Sequence, residues 1–257
     1  MNNFNLYSYK NLGDGEMNND FKIYVENTKK PWNELFYKML WEQLPKIENC
    51  KVLDFGSGLG ITSNYLAINN DVIAIEPDMD MVKTRLCENN YNQIIGGIEK
   101  LTNQSDNYFD VILCHNVFEY AKEREDIFKE FYRILKPNGL ISIVKHNHNG
   151  RIMQKAIFEN NIDEALSIFN GEEVNAAYFG NINYYNVNDI KNWCSDVDIN
   201  IEKTFGIRTF FGLGQNNEIK YEESWKEKMF QLEMKVSEIE DYKNIAFYNH
   251  ILLRKGI

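Results

Sequence analysis

A chain of 257 residues, 44% hydrophobic and 26% charged, has an ordinary globular composition and the length for one large domain or two small ones. Its formal charge of -10 argues against a broadly basic face that grips nucleic acid through phosphates, though a local patch is compatible with it. No apolar run is long enough to cross a bilayer, the opening "MNNFNLYSYKNLGDGE" lacks a secretion-signal pattern, and Cys50, Cys87, Cys114 and Cys194 form no CxxC pair, so the expectation is a cytoplasmic protein with small buried thiols.

In chain order, residues 51–145 alternate between strand and helix. "KVLDF" is an apolar strand, "GITSNYLAINN" a helix, "DVIAIE" a second strand and "DMDMVKTRLCENN" a second helix. A weak strand, "NQIIGG", is followed by the strand "YFDVILCH". In "REDIFKEFYRILK", Ile127, Phe128, Phe131, Ile134 and Leu135 mark one helical stripe, and "KPNG" ends that helix before the strand "GLISIVK". This rhythm predicts an α/β protein with a doubly wound parallel sheet and right-handed crossovers. Beyond it, helical sequence from Gly150 to Asn170 and an irregular aromatic stretch to Asn186 predict a lid inserted over the sheet edge. A helix near "NVNDIKNWCSDV", a strand in "INIEKTFGIRTFF", a long helix in "YEESWKEKMFQLEMKVSEIE" and a last strand in "AFYNHILLR" complete the chain. No repeat or low-complexity linker interrupts it, so one domain is expected: an N-terminal helical cap over 1–50, a core over 51–145, the lid over 146–186 and the remainder of the sheet over 187–257.

The stretch "VLDFGSGLG" puts Gly56, Gly58 and Gly60 at the carboxyl end of the first strand, just before a helix. That is where ligands bind in open parallel sheets, and bare glycines let a ligand lie against the main chain. Glu76 ends the second strand about 20 residues later, where an acid that binds a ribose belongs. The bland alternative is a turn with no ligand, and Asp54 has its own: an acid that orders the loop by accepting N–H bonds. The third glycine comes one residue too early for GxGxxG, and no GxxxxGK[ST] is present.

Asp54, Gly56, Ser57, Gly58 and Gly60 instead form a D-x-G-x-G-x-G sequence that resembles motif I of the class I S-adenosylmethionine-dependent methyltransferases. "FDVILCHNVFEYA" and "FYRILKPNGLISIV" resemble that family's fourth-strand and fifth-strand passages, with Asn138 in place of a glycine. The resemblance implies a Rossmann-like sheet of seven strands, the last two an antiparallel hairpin, and S-adenosyl-L-methionine as cofactor. It implies that Glu76, with Pro77 beside it, binds both ribose hydroxyls. The acid that follows strand three in many relatives falls at Gly97, which leaves the adenine amine to Glu99 or to no side chain, with Ile98 packed on the adenine face.

The chain also resembles the bacterial tRNA 5-carboxymethoxyuridine methyltransferases in "IYVENTKKPWNELFYKMLWEQL", "HNHNGRIMQKAIFENNIDEAL", "KTFGIRTFFG" and "FYNHILLRK". This implies that Lys29 or Lys30 reaches the cofactor carboxylate, with Tyr24 nearby and Asn33 where an arginine is expected. It also implies that Arg208 faces the acceptor, where its planar fork would suit a carboxylate. The lid loop "FNGEEVNAAYFGNINYY" has no basic residue, which weakens the RNA reading, although its tyrosines have rings that would stack on bases. Methyl transfer needs alignment, and a base only when the acceptor loses a proton. His115 after strand four and His146 after strand five are the candidate bases; cofactor shaping is the alternative for His115. His148 reads as loop polarity or helix capping, and His146 with His148 make no metal pair. The favoured function is methyl transfer to a small or medium-sized polar acceptor; a tRNA wobble ester and a noncatalytic cofactor-binding sensor are the alternatives.

Overall fold

The computed structural model describes residues 19–172, 174–176 and 180–257. The first part of the expected N-terminal cap and Tyr178 of the lid loop lie outside them. The strands in chain order are β1 (Lys51–Phe55), β2 (Asp71–Glu76), β3 (Asn92–Ile95), β4 (Phe109–His115), β5 (Leu135–His146), the short β6 (Val174–Ala176) and β7 (Gly180–Ile182), β8 (Ile199–Ile207) and β9 (Tyr248–Lys255). Seven of these form one sheet in the order β3-β2-β1-β4-β5-β9-β8; β6 and β7 pair separately in the lid. β1 to β5 run parallel, and β9 is antiparallel to both neighbours, as the expected closing hairpin requires. Strand order reverses between β1 and β4, which opens a crevice at their carboxyl ends.

Alternation along each strand assigns the two faces. Leu53, Ile112, Ile141 and Ile251 face α5 (Arg124–Ile134) and α8 (Val187–Trp193). Val52, Val111, Leu140 and Leu252 face the other way, where α2 (Pro31–Gln43) and α3 (Ile61–Leu66) follow from the N-terminal part and the glycine loop. The predicted stripe on α5 is buried from Ile127 to Ile134. α1 (Asn19–Thr28) lays Phe21 against Leu59, Ile61, Met81 and Leu86, so it covers the glycine loop.

Two expectations change. The helix predicted over 78–90 is only α4 (Met79–Thr84), capped by the Asp78 side chain. The following residues are bonded elsewhere: Leu86 N–H donates to Leu59 O at 2.8 Å, and Asn64 holds Asn89 by two bonds of 2.9 Å. At "KPNG", α5 passes directly into β5; Asn138 takes φ +61° and the register with β4 shifts between Phe109 and Val111.

The lid consists of α6 (His148–Met153), a wider turn over Gln154–Phe158, α7 (Ile162–Phe169) and the hairpin of β6 and β7, where the sequence had suggested irregular chain. Asn183 fastens it to the core by donating its N–H and side-chain amide to Glu119 O at 3.1 and 3.2 Å. α9 (Glu223–Val236) packs against α2 on the far side. No helix among the described residues is long and apolar enough to cross a membrane.

Candidate active site

The three glycines of the loop have different tasks. All have positive φ, between +52° and +73°. A Cβ on Gly56 would collide with Val117, and one on Gly60 with Tyr91, so these two serve chain packing. A Cβ on Gly58 would meet nothing within 4 Å. Open ground beside a buried loop is where a ligand can lie on the main chain.

Glu76 stands directly across it. Its two carboxylate oxygens accept the N–H groups of Gly58 at 2.8 Å and Asp78 at 2.9 Å. Each oxygen keeps a lone pair for a further donor. Burial raises its pKa, and those two bonds oppose the shift. Ser57 Oγ and Asn116 Oδ1, on the neighbouring turns, are buried without a partner. Unmatched polar atoms beside an open glycine fit a polar adenosyl group better than a structural turn.

Asp54 is different. It is buried and accepts Ser63 Oγ–H at 2.5 Å; burial pushes its pKa up to about 6 despite that bond. Its carboxylate thus ties β1 to the start of α3, the ordering role. Pro77 is exposed and leads into the Asp78 cap. Ile98 packs at the margin of the core cluster. Glu99 is exposed and turns its carboxylate back to Gly97 N–H, 3.1 Å from each oxygen. Tyr24 lies on α1 beside the residues that cover Leu59. Lys30 supplies the N-cap backbone of α2, and Asn33 donates its amide to Asn27 O at 2.6 Å, a local structural bond where an arginine was expected.

The candidate histidines have different surroundings. His115 Nε2 meets Ser142 Oγ at 2.8 Å, which meets His250 Nε2 at 2.8 Å, and His250 Nδ1 meets Gln43 Oε1 at 2.9 Å. Burial pushes its pKa down to about 3. With that nitrogen engaged and its pKa lowered, His115 is poorly suited to accept a proton at neutral pH. His146 does sit at the crevice, its ring 4.8 Å from that of Tyr248 and 5.8 Å from that of Phe247. Burial, then the charges of Arg151, Lys145 and Arg208, push its pKa down to about 3. It is a poor proton acceptor at neutral pH. His148 Nε2 bonds Ile168 O at 2.8 Å and holds the lid together.

Sequence reasoning missed Glu119. It lies just past β4, fully buried, and its Oε1 accepts His146 N–H at 2.6 Å while Oε2 has no partner. Burial raises its pKa to about 7; the N–H bond and the charges of Lys145 and Arg124 only partly offset this. The available signal was an acid among Val117, Phe118, Tyr120 and Ala121 in "HNVFEYA". Lys145, its buried neighbour, is pushed down to about 8 by burial and donates to His146 O at 2.8 Å. Arg208 is buried at the end of β8, with its guanidinium 5.0 Å from the Phe247 ring and 5.9 Å from that of Tyr248. The turn after it is fixed by Glu233, which accepts the N–H groups of Thr209, Phe210 and Phe211 at 2.7 to 2.8 Å. The candidate site thus has two parts: the glycine loop facing Glu76 on β1 and β2, and a cluster of Glu119, His146 and Arg208 near the ends of β4, β5 and β8.

Residues 53–143 match the family model described as Methyltransferase domain. A ubiquinone biosynthesis O-methyltransferase of Pseudomonas putida is 25% identical over 143 residues, covering 51% of this chain and 60% of the relative. A tRNA 5-carboxymethoxyuridine methyltransferase of Escherichia coli is 22% identical over 141 residues, covering 49% of this chain and 54% of the relative. The chain therefore spans little more than half the length of these curated relatives. Among solved structures, an S-adenosylmethionine-dependent methyltransferase from Archaeoglobus fulgidus superposes with a TM-score of 0.59 at 17% identity, covering 91% of this chain and 99% of that one, which is a likeness of fold.

Proposed function

We propose that the chain is a class I S-adenosylmethionine-dependent methyltransferase, a reading supported by the methyltransferase-domain match over residues 53–143, and that it methylates a small or medium-sized polar acceptor seated between the sheet and the lid. The observation that carries this reading is the open ground at Gly58 facing the Glu76 carboxylate. Bound there, S-adenosylmethionine supplies an electrophilic sulfonium methyl. Glu76 takes the ribose hydroxyls on its free lone pairs, the Ser57–Gly58 backbone lies under the ligand, and Ile98 gives the adenine an apolar neighbour. Tyr24 closes the crevice from α1.

The chain's part in the reaction is alignment and proton removal. Glu119, not His146, is suited to take a proton at neutral pH, because its unpartnered oxygen is buried within the cluster it forms with His146 and Arg208. An acceptor O–H or N–H would form its bond to the methyl carbon as the C–S bond breaks and would pass its proton to that oxygen. Arg208 holds the acceptor on the side away from the glycines.

Incubation with methyl-labelled S-adenosylmethionine tests this, with separated small-metabolite and bulk tRNA fractions as acceptors. Label in the small-molecule fraction supports the reading. Label confined to tRNA would replace it with wobble-ester formation, which the E. coli relative favours and which the acidic composition and the lid loop without basic residues oppose. Cofactor uptake with no transfer to either fraction would favour a noncatalytic sensor.

A further inference from the structure

The cluster around His146 holds a second arginine that the sequence did not single out. Arg151 comes from the lid helix α6, Arg208 from the sheet, and both guanidiniums lie against one ring, that of Phe247, at 5.6 and 5.0 Å. Nε of each is buried and unpartnered. Arg151 Nη1 donates to the neutral Gln154 Oε1 at 2.9 Å, and its guanidinium also acts on the Tyr184 hydroxyl; neither partner is a carboxylate. No side-chain hydrogen bond or ion pair to a carboxylate engages Arg208 among the described residues. The charge of Glu233 reaches Arg208, but its oxygens accept three backbone N–H groups and Glu119 Oε1 accepts that of His146, so neither carboxylate makes a direct ion pair with the two arginines.

Two cations side by side with unmade bonds are unfavourable. Aromatic faces recover part of that cost, but they satisfy no N–H donor. The charges of both arginines reach His146 and Tyr248, which places the field of the pair over the same two side chains. Arg208 is moreover held at φ +62°, a conformation a bulky residue adopts only when its surroundings enforce it, and the Glu233 anchor next to it does so. A planar fork with free N–H groups suits an oxyanion.

Resting on the methyl-transfer reading of this crevice, we propose that Arg151 and Arg208 form one oxyanion subsite spanning lid and sheet, so that the acceptor bears a carboxylate or phosphate held by both. The anion supplies the missing counter-charge and joins α6 to the end of β8.

Calorimetric titration of malonate, inorganic phosphate and uncharged malonamide into the protein, with and without saturating S-adenosylhomocysteine and at constant ionic strength, tests it. The expected result is binding of malonate or phosphate but not malonamide, weakened about tenfold or more by Arg151→Gln and by Arg208→Gln alike. Arg151→Lys keeps the charge but loses the fork, and is expected to fall between wild type and Arg151→Gln. Unchanged S-adenosylhomocysteine affinity in the variants certifies that they fold. Equal binding of malonamide overturns the proposal, as does wild-type oxyanion affinity in Arg151→Gln. Failure of S-adenosylhomocysteine to bind wild-type protein overturns the methyl-transfer reading alone, because titration of the free protein still decides the subsite; folding of the variants is then checked by thermal melts.

Discussion

Replacing Glu76 by Ala is the sharpest probe of the crevice. The carboxylate now does two things: it ties Gly58 and Asp78 N–H at 2.8 and 2.9 Å, and it faces the open ground where two ribose hydroxyls would donate. The loop keeps other supports, since Gly56 and Ser57 N–H donate to Ile75 O at 2.8 and 3.1 Å and Gly60 N–H to Ser57 O at 2.8 Å. The fold is therefore expected to survive with a loss of about 1–2 kcal/mol for the two freed N–H groups. Ligand binding is hit harder. Hydrogen bonds to a charged group contribute about 1.5–3 kcal/mol each, so even partial replacement by water leaves a deficit of about 3 kcal/mol, or roughly a hundredfold in Kd. Calorimetry with S-adenosylhomocysteine reads this directly. Glu99→Ala is the comparison, because that exposed carboxylate is engaged locally by Gly97 N–H and Lys100, and its effect is expected to stay within about threefold. If folded Glu76→Ala binds as wild type does, the ribose assignment is wrong, and the geometry at Gly58 has another purpose.

Two further outcomes follow from the same site. Gly58→Ala should fold with a loss of about 1–2 kcal/mol, the cost of a side chain at φ +52°, yet weaken S-adenosylhomocysteine at least about tenfold, because the new methyl projects into the crevice; undiminished affinity would place the ligand elsewhere. Glu119 is readable without an acceptor: a carboxyl whose folded pKa is raised to about 7 adds stability below the ordinary value of 4.5 and loses it as pH rises towards 7. Glu119→Gln stays neutral and keeps an oxygen for His146 N–H, so from pH 5 to pH 8 its urea stability should gain on wild type by on the order of 3 kcal/mol. A pH-independent difference between the two proteins would show that Glu119 is ionised in the fold at all these values, stabilised by Lys145 and Arg124, and unsuited to proton removal near pH 7.

What could be read from sequence was whatever the chain encodes locally. The order of strands and helices, the stripe on α5, the glycine turn and the acid ending β2 are contiguous patterns set by period and backbone freedom, and the structure has them where the pattern put them. The ends of α4 were not legible, because Leu59 and Asn64, far back in the chain, supply the partners that end it. His115 shows the same limit at the site. Its place at the end of β4 was legible, but its partners Ser142, His250 and Gln43 come from β5, β9 and α2, and no local pattern announces them. Glu119 and Arg151 carried no spacing signal at all. They acquire chemistry by burial, when the lid and the ends of β4, β5 and β8 close around them, and burial is a property of the assembled fold. The glycine loop and the acid facing it therefore lie in one stretch of about 25 residues, Val52 to Glu76, with Tyr24 and Ile98 added from outside it. The acceptor half is gathered from four regions of the chain, and that half is free to change its anion-binding and proton-accepting groups without disturbing the crevice.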